Sequence, residues 1–253
     1  MKKRTRGKEK YDLIWGRQPV LEALRGNLPL KRINLHEGAR GNIINDIQKK
    51  AEEKGIPVQR LKRARLEEEV GGRNHQGIVA YMAPYAYLSV QELLECVRER
   101  GKKPFLLMLD HLQDPQNLGS LIRTAAAAGV QGIIIPRDRA CGVTPAVFKS
   151  SAGALAHIAV ARSVNLANEA DYLKKEGIWL IGADMSGEQS FYEADFNLPF
   201  ALVLGSEGKG LSRLIREKCD FLLHIPVQGA VSSLNVAVAG GVIIYEAFRQ
   251  RTR

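Results

Sequence analysis

From residue 105 onward the chain repeats short runs that are apolar at consecutive positions: FLLMLD (105–110), GIIIP (132–136), IWLIGAD (178–184), ALVLGS (201–206) and FLLHIP (221–226). A strand without polar alternation is buried on both faces, the pattern of a parallel sheet flanked by helices. SLIRTAAAAG (120–129) lies between the first two runs and predicts a helix closed by a glycine. The expectation is an open, mainly parallel α/β sheet, in which ligands sit beyond the carboxyl ends of the strands. Three loops at such ends stand out: HLQDPQNLG (111–119), GSEGKG (205–210) and IPVQGAVSSLN (225–235).

Residues 15–82 carry a mixed pattern. VLEALRG (20–26) predicts a short helix, RINLHEG (32–38) a strand, and NIINDIQKKAEEKG (42–55) an amphipathic helix. IPVQRL (56–61) predicts a strand, ARLEEEV (64–70) a charged helix, and GIVAYM (77–82) a last strand. The order is alternating α/β. Between the two regions, Pro84, a helical stretch SVQELLECVRERG and a Lys-Lys-Pro turn read as a connection. The expected organisation is a basic, disordered tail over 1–10, a small α/β domain over 11–83, a linker with a helix over 84–103, and an α/β domain over 104–253.

Charge sharpens this division. The formal net charge is +10, with 19 Lys/Arg against 10 Asp/Glu up to Pro84 and 18 against 17 thereafter. Excess positive charge confined to one module points to an anionic partner, and nucleic acid is the default for such a module. Tyr11, Trp15 and Tyr85 are the candidates for stacking on bases. Cys96, Cys141 and Cys219 are far apart and the five histidines are scattered, so disulfides and a protein-bound metal are not expected. No apolar run reaches the length of a membrane span, and no apolar stretch follows the basic start as in a signal peptide. A cytoplasmic location is the expectation.

GSEGKG invites a nucleotide-phosphate reading, which spacing rejects. A P-loop needs four residues between its first glycine and the Gly-Lys pair, whereas Gly205 and Gly208 have two between them and Lys209 precedes Gly210. What remains is a tight turn with exposed amides and Glu207 projecting from it. Asp114 or Asn117 can cap the helix that follows, and Ser232, Ser233 and Asn235 can do the same for the last helix. Arg123 suits either a surface salt bridge or a substrate phosphate. Glu207 reads as a turn residue or as an acid held against such an arginine.

Taken together and in order, DPQNLGSLIRTAAAAG, LVLGSEGKGLS and IPVQGAVSSLNVAVAGGVIIYEA resemble the three successive motifs of the SpoU (TrmH-type) RNA 2′-O-ribose methyltransferases of the SPOUT superfamily. GRQPVLEAL (16–24) and HQGIVAYM (75–82) resemble the start and end of that family's N-terminal substrate-binding domain. Within the family the match is closest to the bacterial 23S rRNA guanosine 2′-O-methyltransferase group. The resemblance implies a SPOUT domain with a C-terminal trefoil knot and a ribosomal protein L30e-like N-terminal domain. It implies a homodimer through the helix near 235–250, and S-adenosylmethionine as methyl donor. Gly205, Ile225 and Leu234 match the family's cofactor-binding positions, with Ser233 and Glu207 beside them. Asn117, Arg123, Glu207 and Asn235 match its catalytic positions. Ala237 stands where relatives commonly have Ser, so a small residue is kept. The activity implied is methylation of a guanosine ribose in 23S rRNA. A tRNA ribose methyltransferase and a noncatalytic RNA-binding assembly factor are the alternatives, the first disfavoured by the N-terminal module and the second by the four retained residues.

Overall fold

A computed structural model of the chain describes residues 11–26, 28–228 and 233–252. The basic tail over 1–10 and Ser232 lie outside the described residues. Two compact units divide the chain, the first ending at Ala86 and the second beginning at Tyr87.

In the first unit the elements are β1 (Asp12–Trp15), α1 (Arg17–Arg25), β2 (Leu30–His36), α2 (Asn42–Glu53), β3 (Val58–Leu61), α3 (Arg63–Val70) and β4 (Ile78–Met82). The sheet runs β1-β4-β2-β3, with β4 antiparallel to both neighbours and β2 parallel to β3. Hence β1, β2 and β3 end, and β4 begins, at one edge. Ile44, Ile47 and Ala51 recur at helical spacing and form the buried stripe of α2, which packs on α1. Leu66 and Val70 of α3 cover Val79 and Tyr81 of the sheet. Gly71 ends α3 in the left-handed conformation at φ 61°, which a residue without a β-carbon adopts at little cost.

The second unit contains α4 (Val90–Glu99), β5 (Phe105–Leu109), α5 (Pro115–Ala127), β6 (Gly132–Pro136), α6 (Pro145–Ser150), β7 (Ala159–Ser163), α7 (Leu166–Lys175) and β8 (Trp179–Ala183). It continues with β9 (Gln189–Ser190), β10 (Phe200–Leu204), α8 (Arg213–Lys218), β11 (Phe221–His224) and α9 (Val236–Arg251). The seven strands are ordered β7-β6-β5-β10-β8-β11-β9, and every described pair is parallel.

Alternate residues of the central strands point to opposite layers. Leu106, Met108, Leu180, Ala201 and Val203 pack with α4, α7 and Ile215 of α8. On the other side Leu204 meets α9 at Gly240, which also lies against Leu121 of α5; a β-carbon on Gly240 would stand 2.5 Å from Leu204 and 2.6 Å from Leu121. The segment 84–103 differs from a simple linker. Its helix α4 buries Val90, Leu93, Leu94 and Val97 in the core of the second unit, because its apolar stripe has the sheet as its partner. Of the two caps foreseen for the helix carrying SLIRTAAAAG, Asp114 and Asn117, the structure takes the first, so α5 begins at Pro115. Asp114 caps it, accepting from the amides of Gln116 and Asn117, and proline suits the first helical position.

Strand order decides where the chemistry sits. β5, β10, β8 and β11 are neighbours and parallel, so the loops after Leu109, Leu204, Ala183 and His224 emerge side by side at one edge. Among the described residues, no helix is long and apolar enough to cross a membrane.

Candidate active site

The loop after β10 folds back on itself. Ser206 and Gly210 exchange both backbone hydrogen bonds at 3.0 Å, with Gly208 at φ 79° and Gly210 at φ 65°. A β-carbon on Gly205 would lie 2.0 Å from the carbonyl carbon of Gly210, so Gly205 is required by close backbone approach. The turn projects Glu207, Gly208 and Lys209 from the sheet edge.

Beside this turn stand the N-termini of α5 and α9. Asn117 occupies the third position of α5, and Asn235 is the N-cap of α9, its Oδ1 accepting from the amides of Ala237 at 2.9 Å and Val238 at 3.3 Å. Asn235 Nδ2 donates to Asn117 Oδ1 at 3.1 Å, and Asn117 Nδ2 donates to Glu207 Oε1 at 2.7 Å. The donor inventory fixes the direction of this chain. An ionised carboxylate only accepts, so the Asn117 amide nitrogen faces Glu207 and its oxygen is left to accept from Asn235, whose own oxygen is engaged by the helix.

Next to the chain of bonds is a cavity of about 510 Å³, within the range of roughly 300–1,000 Å³ common for small-molecule sites. Gly205, Glu207, Ile225, Ser233, Leu234 and Asn235 all line it. Apolar side chains and backbone at close approach dominate the wall, with Glu207, Asp184, Lys209 and Arg216 as its charged members. This donor set fits an adenosyl group: flat apolar surface for the base, backbone amides and carbonyls for its edges, and glycines where the backbone must come close.

The geometry does not bring every candidate together. Arg123 is exposed on α5, and its side chain makes no hydrogen bond or ion pair with a described residue. Six residues of helix place it about 9 Å along the axis and about 120° around it from Asn117. The sequence reading in which Glu207 is held against Arg123 is therefore replaced: Glu207 is held by Asn117.

Asp184, Met185 and Arg216 line the cavity without having been singled out from the sequence. Arg216 Nη2 donates to Asp184 Oδ2 at 2.6 Å, tying α8 to the end of β8. The signal was available, since IWLIGAD ends at this same edge. Cys141 also lies near the site. Burial, and then the charges of Asp114 and Glu207, push its thiol above the ordinary range, which keeps it protonated and a weak nucleophile.

Comparison with known proteins agrees with this geometry. Residues 104–245 match the SpoU rRNA Methylase family, and residues 13–88 match the RNA 2′-O ribose methyltransferase substrate binding family. The chain is 43% identical over 96% of its length to YacO of Bacillus subtilis (strain 168), placed among TrmH family tRNA/rRNA methyltransferases, and the match spans 97% of that protein. The crystal structure of the SpoU methyltransferase AviRb from Streptomyces viridochromogenes in complex with AdoMet is similar at a TM-score of 0.76 and 25% identity, covering 99% of this chain and 94% of that one. The A. aeolicus TrmH/SpoU tRNA modifying enzyme is similar at a TM-score of 0.54 and 28% identity, covering 64% of this chain and 83% of that one. With the matched region spanning the whole sheet and the site at its edge, the chain belongs to the SpoU family of S-adenosylmethionine-dependent RNA methyltransferases.

Proposed function

We propose that the protein methylates the 2′-oxygen of a guanosine ribose in 23S rRNA. The observation that carries this reading is the bonded chain Asn235–Asn117–Glu207 beside the cavity lined by Gly205, Ile225, Ser233 and Leu234. When bound, S-adenosylmethionine would supply a methyl group on a sulfonium centre: the O–CH3 bond would form as the S–CH3 bond breaks, S-adenosylhomocysteine would leave, and the 2′-hydroxyl proton would pass to solvent. The residues of this chain hold the acceptor ribose in line with that methyl, and alignment of this kind contributes several kcal/mol, with an upper range of about 7–11.

In this account Gly205, Ile225 and Leu234 hold the adenosyl part through their backbones, with Ser233 and Glu207 beside them. Asn117 and Glu207 set the position of the turn against α5, and Asn235 fixes the start of α9 in the same frame. Arg123 binds an RNA phosphate and stabilises negative charge as it develops on the 2′-oxygen. Its support is that no described carboxylate pairs with it. A guanidinium in a protein stays protonated, so an electrostatic role suits it and a general-base role does not.

The reading includes a homodimer built on α9. Val238, Val242, Tyr245 and Phe248 are exposed on this helix while Gly240, Ile243, Ile244 and Ala247 are buried, so α9 presents a second apolar face. A trefoil knot in the C-terminal part and a cytoplasmic location belong to the same proposal.

The choice of 23S rRNA over tRNA is supported by the domain at 13–88, a match to the substrate-binding family. The A. aeolicus tRNA modifying enzyme resembles only 64% of this chain. Incubating the protein with labelled S-adenosylmethionine and unmodified total RNA separates the readings. Label in 23S rRNA is expected; label in tRNA redirects the substrate, and no label in any RNA removes the enzymatic reading.

A further inference from the structure

In the first unit, three loops meet at the edge where β1, β2 and β3 end and β4 begins. Arg17, the first residue of α1, donates from Nε to the carbonyl of Gln76 at 3.2 Å and from Nη1 to the carbonyl of Arg40 at 3.2 Å. Its backbone amide donates to Gln76 Oε1 at 3.0 Å. Arg60, near the end of β3, donates from Nη1 to the carbonyl of Glu37 at 3.1 Å. Arg40 is exposed between these two, and its side chain makes no hydrogen bond or ion pair with a described residue.

These arginines differ from three others in the unit. Arg25, Arg63 and Arg65 each lie within 2.9 Å of a glutamate oxygen, which cancels their charge locally. Arg17 and Arg60 are fixed by neutral carbonyls, and no described carboxylate pairs with Arg17, Arg40 or Arg60. A carbonyl orients a guanidinium without neutralising it and leaves other donors of its fork open. Pre-fixed, uncompensated guanidinium groups lose little side-chain freedom on binding and match phosphate in bidentate geometry. At the same edge Arg73 stacks over the Trp15 ring at 5.0 Å. The opposite edge, at the ends of α1 and α2, mixes Glu22, Glu52 and Glu53 with Arg25 and Lys50.

We propose that this edge is a binding surface for the sugar-phosphate backbone of RNA, with Arg17, Arg40 and Arg60 as its phosphate contacts. The inference rests on the reading of the chain as an RNA-modifying enzyme and names where its first unit grips the substrate.

Binding of an unmodified 23S rRNA transcript, measured over a series of KCl concentrations, tests it. Arg40→Gln is the primary variant, because its side chain supports no other described residue. Arg17→Gln and Arg60→Gln extend the series, and Lys31→Gln, at the opposite edge, is the charge-matched control. Each arginine variant is expected to lower the salt slope of log K by about 0.7–0.9 and to raise the KM for RNA with kcat kept. Lys31→Gln is expected to leave the slope unchanged. A wild-type slope and KM in Arg40→Gln, or equal loss in Lys31→Gln, overturns the proposal even where the other variants lose stability. If the wild-type protein transfers no methyl to any RNA, the enzymatic reading falls, while the binding slopes still judge this surface.

Discussion

Asn117 donates to Glu207 at 2.7 Å across 90 positions of sequence, joining the start of α5 to the turn after β10. The same amide accepts from Asn235, so one side chain ties three separate loops into a single frame. Asn117→Ala removes both bonds. The expected outcome is a fall in the single-turnover rate of about a hundredfold, the order of effect for a misplacement near 1 Å. Affinity for S-adenosylmethionine stays within a few-fold, since Asn117 does not line the cavity. Rapid-quench rates together with calorimetric cofactor titration check both parts. Glu207→Gln should be milder, because its amide oxygen still accepts from Asn117.

Asn235 combines a cap with a bond to Asn117, and two substitutions separate them. Asn235→Ala loses the cap, at a cost of about 1 kcal/mol. Asn235→Ser keeps a cap and loses the donation to Asn117. The melting temperature is expected to fall clearly in the alanine variant and little in the serine variant, with methyl transfer reduced in both.

At Gly205 there is no room for a methyl group, given 2.0 Å to the Gly210 carbonyl carbon. Gly205→Ala must open the Ser206–Gly210 pair and shift the cavity wall. Cofactor affinity should drop by at least about tenfold, a loss of about 1.4 kcal/mol. Far-UV circular dichroism should stay unchanged, because the collision is confined to the turn.

Arg251 closes the second unit from its C-terminal end. Its guanidinium donates to the carbonyls of Phe196 and Leu198, at 2.9 and 3.0 Å, and to those of Lys103 and Pro104, and it lies over the rings of Phe105 and Phe200. Arg251→Ala leaves several of these carbonyls without a donor, each worth about 1–3 kcal/mol if still shielded from water. A lowered denaturant midpoint for Arg251→Ala, with partial recovery in Arg251→Lys, is the expected result. Lysine restores a charge and not the planar fork.

The cysteines give a pH-dependent test. Burial pushes the Cys219 thiol up to about 12, whereas Cys96 is exposed. A thiol held protonated in the folded state contributes stability that is complete below its unfolded value, about 8.5, and is lost as pH rises through the folded value. Alkylation at mildly alkaline pH should label Cys96 first, with Cys219 labelled only on unfolding. Stability should decline above about pH 9, and less so in Cys219→Ala, as measured by denaturant titration.

Much of this architecture is legible along the chain because its signals are local. The stripe Ile44, Ile47, Ala51 and the runs at 105–109 and 200–204 announce α2, β5 and β10 directly. β7 is harder to read: its outer position next to β6 exposes Arg162, so AVARS lacks a continuous apolar run. The start of α5 was legible only as two alternatives, a cap at Asp114 or at Asn117, because cap and helix share a loop-like composition there; the structure takes Asp114. Asn117, Glu207 and Asn235 were nameable as residues, but their bonds depend on β10 lying beside β5. Linear spacing does not encode that adjacency. For the same reason Arg216 and Asp184, single polar residues at the ends of ordinary elements, became part of the cavity only in three dimensions.

The central claim is transfer to a ribose 2′-oxygen, and alkaline hydrolysis of the labelled product tests it most directly. Alkaline cleavage of RNA requires a free 2′-hydroxyl, so a 2′-O-methyl group protects the linkage that follows it. After reaction of the wild-type protein with labelled S-adenosylmethionine and unmodified 23S rRNA, the account predicts label in an alkali-stable dinucleotide whose first residue is guanosine, and strongly reduced label with Asn117→Ala. Label recovered in ordinary mononucleotides, as base methylation would give, or equal labelling by Asn117→Ala, would contradict it.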